Sequence, residues 1–343
     1  MQLHIDSILE SPEFYPLKFE GPNLVFVRMS QETYKDSSFT LPRRIISKGK
    51  ETWSIPFSAI NALVSEDTSQ SQTPAFLFQI AHCGSTLLSK ALDHDDATLV
   101  IREPYALRQF AAAPKGLDEA TIMARQQALS VLMRLYSRKF TNGQRVIIKG
   151  NVPVNFIFDE LLKYQASLNA ICLHSDLDSY IIAALKSPER QQWAAHVVRE
   201  LELKIRASLD NQRLNTMNFS LLNPAQSAAL LWFSQVGNFT KLASTNEQIE
   251  LLESEHFFTT PFDTLVHCSR LLGLTENSRA LKLTTESTLF SRHAKEPSQA
   301  YDNTQRASDQ DKALQRYADD LYAVRKWCLD MSLTKQGALE IKV

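Results

Sequence analysis

Residues 75–92 read Ala-Phe-Leu-Phe-Gln-Ile-Ala-His-Cys-Gly-Ser-Thr-Leu-Leu-Ser-Lys-Ala-Leu, and they constrain the fold of this chain more than any other stretch. The apolar, β-rich run Ala75 to Ile80 has the length of a buried strand. A tight turn follows, Ala81-His82-Cys83-Gly84. Ser85 and Thr86 then open a helical pattern with Leu87, Leu88, Ala91 and Leu92 on one face. A strand that turns sharply into a helix leaves backbone N–H groups unpaired and aimed outward. With the positive end of the helix dipole they form a site for a phosphate-like anion. Gly84 lets the anion approach the backbone, and the Ser85 and Thr86 hydroxyls add donors. The bland alternative is a strand-turn-helix whose corner needs small residues. The segment is not a Walker A loop, because Ser85 stands where that motif needs lysine.

The stretch resembles the 5′-phosphosulfate loop of the sulfotransferases that use 3′-phosphoadenosine 5′-phosphosulfate (PAPS), which are P-loop relatives of the kinases. On that resemblance the family's cation falls at His82, its glycine at Gly84 and its hydroxyls at Ser85 and Thr86. The loop residues His82, Cys83, Gly84, Ser85, Thr86 and Leu87 would then hold the donor.

Length, charge and cysteine content narrow the function classes. The 343 residues, 44% hydrophobic, are enough for a large core. A net charge of −1 without a Lys/Arg run gives no pull toward nucleic acid or an anionic membrane. The first ten residues lack the apolar core of a signal peptide, and no apolar stretch reaches the length of a membrane span. The four cysteines Cys83, Cys172, Cys268 and Cys328 form no CxxC pair. That argues against zinc and fits free thiols in a reducing cytosol. Cys83, at a helix start, is a candidate nucleophile; a small residue filling the loop is the commoner role.

Residues 1–72 read as a small β-rich extension, with a strong strand at Leu24–Arg28 and weaker ones at 39–42, 44–46 and 52–55. Its roles include dimer contact, substrate-side wall and core cover, and the sequence does not choose among them. The polar segment Glu66 to Pro74 is the linker. Residues 73–343 alternate strand and helix, which predicts an α/β fold: a three-layer P-loop domain with a mostly parallel central sheet. Its further strands are expected at 98–101, 145–148, 168–173 and 249–252. Single long helices are expected at 119–140, 189–211 and 309–330.

Three strand ends carry the remaining candidates. Glu103 follows the strand 98–101 and precedes Pro104, at the sheet edge where α/β ligands bind. It stands 21 residues after His82, a spacing similar to that of the glutamate base in glycan-modifying and bacterial sulfotransferases. An ion pair with Arg102, Arg108 or another cation is the structural alternative. Lys149-Gly-Asn-Val-Pro153 is similar to the family's Lys-Thr-His-Leu-Pro. Lys149 matches the lysine, but Asn151 replaces the catalytic histidine, and a neutral amide is no general base. His174 and Ile182 fall where the family has the arginine and serine that bind the 3′-phosphate. Arg292, His293 and Lys295, in the polar segment 284–312, offer replacement charge in a C-terminal loop, or else lie on plain surface.

The resemblance implies sulfuryl transfer from PAPS, without a metal, to a hydroxyl or amine of a small molecule or glycan. Glu103, Lys149 and His82 would be catalytic, and His174, Arg292 and Lys295 would join the loop in binding the donor. The expected partners are that acceptor and a second copy of the chain, with neither nucleic acid nor membrane, in the cytoplasm. A non-catalytic anion-binding P-loop protein is the first alternative, and an ATP-dependent phosphotransferase the second.

Overall fold

The structure is a computed structural model and describes residues 7–45, 51–69, 72–94, 97–116, 118–165, 167–275, 277–293, 296–300, 302–333, 335–336 and 339–340. The central sheet has five strands: β4 Ala75–Gln79, β5 Thr98–Arg102, β6 Arg145–Lys149, β7 Ala170–His174 and β8 Ile249–Glu253. They run in the order β5-β6-β4-β7-β8. β4 and β5 both pair in parallel with β6, in the registers Ala75↔Ile147 and Arg102↔Lys149. β4 to β7 are buried along their whole length, so they read as continuous apolar runs rather than alternating ones. The α/β architecture is the one predicted, with a small antiparallel sheet at the N-terminus.

The chain divides into two compact units, residues 1–78, 86–171 and 265–281 in the first and 79–85, 172–264 and 282–343 in the second. In the first unit, β1 Phe14–Glu20, β2 Asn23–Arg28 and β3 Thr52–Pro56 make the antiparallel sheet. Tyr15, Leu17, Phe26 and Val27 of this sheet are buried. The weak strands predicted at 39–42 and 44–46 do not form. Pro42 instead opens the short helix Pro42–Ile45, for which its fixed φ is preset. Residue 46 lies outside the described residues.

Two buried arginines hold the first unit together. Arg138 donates to the carbonyls of Leu135, Ser11 and Phe14, and Nη1 also reaches the Ile8 carbonyl. Burial pulls its guanidinium down to about 10. Arg102 pairs with Asp93 at 2.5 Å and donates to the carbonyls of Tyr34 and Ser89.

In the second unit the helix Pro224–Thr245 is buried through Leu230, Leu231, Phe233 and Val236. It starts with a complete capping box between Asn223 and Gln226. Two helices predicted as continuous are broken. The 189–211 pattern becomes Pro188–Glu200 and Glu202–Leu209, and Leu201 leaves the helical region at φ −104°, ψ 13°. The closing pattern becomes Asn303–Arg316 and Ala318–Asp330, broken at Tyr317. Both breaks keep the apolar spacing, so periodicity does not reveal them. Leu314 and Ile122 have the spacing of the apolar residues in the patterns 309–330 and 119–140, yet they are 38% and 42% exposed. No helix among the described residues is long and apolar enough to cross a membrane.

Replacing Arg102 by methionine leaves Asp93 buried without its cation. The expected loss is about 3–5 kcal/mol in urea denaturation. Arg28→Ala, which breaks an exposed pair with Glu13, is expected to cost less than about 1 kcal/mol.

Candidate functional site

In the first unit, β5 and β6 lie side by side and deliver Glu103 and Lys149 at the same strand end. Glu103 Oε1 accepts from Lys149 Nζ at 2.7 Å, and the same ammonium reaches Thr86 Oγ1 at 3.3 Å. Lys149 is 1% exposed and Glu103 18%. Three segments distant in sequence thus meet at one ammonium: the residue after β5, the last residue of β6 and the start of the helix Ser85–Ala91. Glu103 sits at φ 55°, a left-handed conformation that costs a non-glycine residue about 1–2 kcal/mol. Its N–H donates to Lys149 O at 2.7 Å, which ties the strained residue to the strand carrying its ionic partner.

Among the cations suggested by the sequence, Glu103 has chosen Lys149. Arg102 is occupied by Asp93. The neighbourhood carries positive charge. The Lys90 ammonium is held below its ordinary value by burial first, then by the charge of Arg102 and, among smaller effects, that of Lys149.

The turn before the helix belongs to the second unit. Ala81, His82 and Gly84 all have positive φ, at 69°, 55° and 82°. A backbone of this kind turns N–H groups into an anion-binding concavity. Gln79, 3% exposed at the end of β4, closes the turn from inside: its Oε1 accepts from Ala81 N at 2.6 Å and Ser85 Oγ at 3.3 Å. Among the described residues no protein group accepts from the backbone N–H groups of Gly84, Ser85 and Thr86. The helix they open has only 7 residues. Its dipole is correspondingly modest.

The other predicted residues are placed as follows. Cys83 is buried, and its thiol donates to Leu173 O at 3.6 Å, the loop-filling role rather than that of an open nucleophile. Leu87 is half-buried. His82 is half-buried and meets Trp193 edge-on, with ring centroids 5.3 Å apart. His174 is buried with Nδ1 3.4 Å from Ser175 O. Burial holds its imidazole below the ordinary 6.5, so it brings no positive charge at neutral pH. Ile182, at the family's serine position, is 3% exposed. Arg292 is exposed on the two-residue strand Arg292–His293. Lys295 lies outside the described residues, as does the side chain of His293.

Sequence reasoning missed Phe258 and Phe39. A Cβ on Gly84 would stand 2.6 Å from Phe258 Cζ, so an aromatic ring lies directly on the turn. Arg306 stacks over that ring at 4.4 Å and pairs with Glu255. Phe39 lies 5.3 Å from Lys149 Nζ. Neither has a sequence signal, because each lies far along the chain from the motifs. Gln79 did have one: it is the single polar residue in an otherwise apolar strand.

Two substitutions test this geometry. Gly84→Ala meets both the positive φ and the Phe258 ring, and is expected to destabilise by about 2 kcal/mol or more in urea denaturation. Pairing it with Phe258→Ala should recover the steric part and leave the part due to φ. For His174 the folded value is depressed, so its contribution is present above 6.5 and is lost as pH falls through the folded value. His174→Gln is therefore expected to flatten the fall in Tm between about pH 7 and 5, read by scanning calorimetry.

No protein-family model matches this sequence, and no curated protein matches it. Solved structures similar to the chain include two bacterial sulfotransferases. One, from Alicyclobacillus acidocaldarius, is 16% identical over 60% of this chain and 82% of its own, with a TM-score of 0.33. The other, from Mycobacterium avium, is 11% identical over 77% of this chain and 81% of its own, with a TM-score of 0.39. Both likenesses are distant.

Proposed function

We propose that this chain is a sulfotransferase, moving a sulfuryl group from PAPS to a hydroxyl or amine of a small molecule or glycan. The observation that carries this reading is the buried Lys149 ammonium, placed between the Thr86 hydroxyl at the helix start and the Glu103 carboxylate. A cation at the helix that follows an anion-binding turn, and a carboxylate on that same cation, are the parts sulfuryl transfer needs. No covalent intermediate with the protein is required, so catalysis rests on positioning and fixed charge.

In this reading the N–H groups of Gly84, Ser85 and Thr86, with the Thr86 hydroxyl, bind the oxyanion of the donor's 5′-phosphosulfate. Lys149 stabilises the charge that gathers on the bridging oxygen. His82 adds charge when protonated. Glu103 takes the proton of the acceptor through Oε2, since Oε1 is held by Lys149. Asn151 leaves Glu103 as the base. The residues fit the 5′ end of the donor better than its 3′-phosphate, because His174 is neutral and Ile182 is apolar. Arg292 and Lys295 are the residues proposed to supply that charge. The reading places the protein in a reducing cytosol, where its four cysteines stay thiols.

A second reading has an observation of its own. Lys149 and Glu103 neutralise one another at 2.7 Å, the arrangement a retired active site would also keep. On that reading the chain binds an anion without reacting.

Calorimetric titration with adenosine 3′,5′-bisphosphate, ATP with magnesium, and GTP separates these readings. Bisphosphate binding tighter than either triphosphate is expected. Preference for ATP with magnesium would make the chain a phosphotransferase, and silence from all three would refute nucleotide use. With an acceptor and PAPS in hand, Lys149→Met is expected to lower kcat about 10²–10³-fold. Glu103→Gln is expected to lower it about 10²–10⁴-fold. A Glu103→Gln enzyme as active as the parent would remove that carboxylate from the chemistry.

A further inference from the structure

An ammonium has three N–H groups. Lys149 is 1% exposed, so water cannot serve it freely, and Glu103 and Thr86 account for two partners. A third lies within reach. The Phe39 ring centroid is 5.3 Å from Nζ, inside the range of a cation–π contact. We propose that the N-terminal extension supplies a positioning residue to the reacting centre: Phe39 holds the Lys149 ammonium in place for the donor's anion. The inference rests on the anion-side role given to Lys149 above.

The placement of Phe39 is built rather than incidental. The residue after it, Thr40, is 1% exposed and grips the end of β5 twice. Its N–H and its hydroxyl both donate to Arg102 O, at 2.9 and 2.8 Å. Tyr15 of β1 donates to the same hydroxyl at 2.8 Å, which ties the grip to the antiparallel sheet. On the other side of Phe39, the Arg102 guanidinium reaches Ser37 O at 3.5 Å. Phe39 is thus bracketed by two residues anchored on Arg102, the immediate neighbour of Glu103. No segment of sequence links residue 39 to residue 149; the bracket does.

The choice of an aromatic ring also has a chemical reason. A second carboxylate beside Lys149 would hold it equally well but would cancel its charge and repel an incoming anion. A ring face stabilises the cation and leaves its charge available. Arg44 lies over the same ring at 5.0 Å, so the ring serves two cations and adds no negative charge. Of the roles open to the extension from sequence, this assigns it one at the site itself.

The test uses the full chain with Phe39→Leu, Phe39→Trp, Lys149→Met and the Leu/Met double variant. Leucine keeps an apolar side chain and removes the ring; tryptophan keeps a π face. In urea denaturation, Phe39→Leu is expected to lower the folding constant about fivefold more with Lys149 present than in the Lys149→Met background. In titrations with adenosine 3′,5′-bisphosphate, Phe39→Leu should weaken Kd about fivefold. Phe39→Trp should stay within twofold of the parent, and leucine should have no further effect once Lys149 is methionine. An equal cost of Phe39→Leu in both backgrounds overturns the proposal. So does coupling in denaturation with an unchanged Kd, which is what a purely structural contact would give. A parent chain that binds no bisphosphate refutes the sulfuryl-transfer reading and, with it, the positioning role. The denaturation cycle then still decides whether the ring holds the ammonium.

Discussion

A lysine ammonium removed from water is unfavourable unless its surroundings hold the charge, and the C-terminal edge of this sheet is arranged around one such group. Burying Lys149 without partners would cost far more than the few kcal/mol that separate folded from unfolded protein. Its partners come from the residue after β5, from the helix after β4 and from the N-terminal extension. The parallel register of β5 and β6 brings Arg102 level with Lys149. That makes Glu103 the next residue out and sets the ion pair.

Conformational strain marks both the turn and the residue after β5. Among the described residues five non-glycine residues have positive φ, and three of them are Ala81, His82 and Glu103. Two lie in the turn and the third is the ionic partner of Lys149. Strain of this kind persists where the surrounding structure over-determines it, and it gathers at functional sites. Here Gln79 fixes the turn from inside, and the Glu103 N–H is fixed by Lys149 O. Among the described residues no protein group accepts from the N–H groups of Gly84, Ser85 and Thr86, which is the property the anion reading needs.

The buried arginines show the same economy applied to structure. Arg102 serves a carboxylate and several carbonyls at once, so the helix Gln31–Asp36 with the residue after it and β5 share one interior cation. Its backbone carbonyl takes both donors of Thr40. Glu103, one residue on, is thereby flanked by a locked neighbour on one side and a proline on the other. The site carboxylate inherits its rigidity from a structural residue.

Much of this was legible in the sequence, for reasons that are local. Short apolar runs marked the buried strands, because a strand covered on both faces has no polar side to show. The turn at 81–84 was visible because a lone glycine between an apolar run and a helical pattern marks where a strand must give way to a helix. Glu103 and Lys149 could each be placed at a strand end from the residues beside them. Their 2.7 Å pairing could not, because it depends on which strands are neighbours, and that order, β5-β6-β4, does not follow the chain. The breaks at Leu201 and Tyr317 were invisible because the apolar period survives them. The strands predicted at 39–42 and 44–46 failed because Pro42 starts a helix, and β-propensity yields to that constraint. The sequence by itself determined which residue types stand at the strand ends and where the backbone must turn. Only the tertiary structure decided which of them share one ammonium, because that contact requires groups dozens of residues apart to arrive at the same point in space.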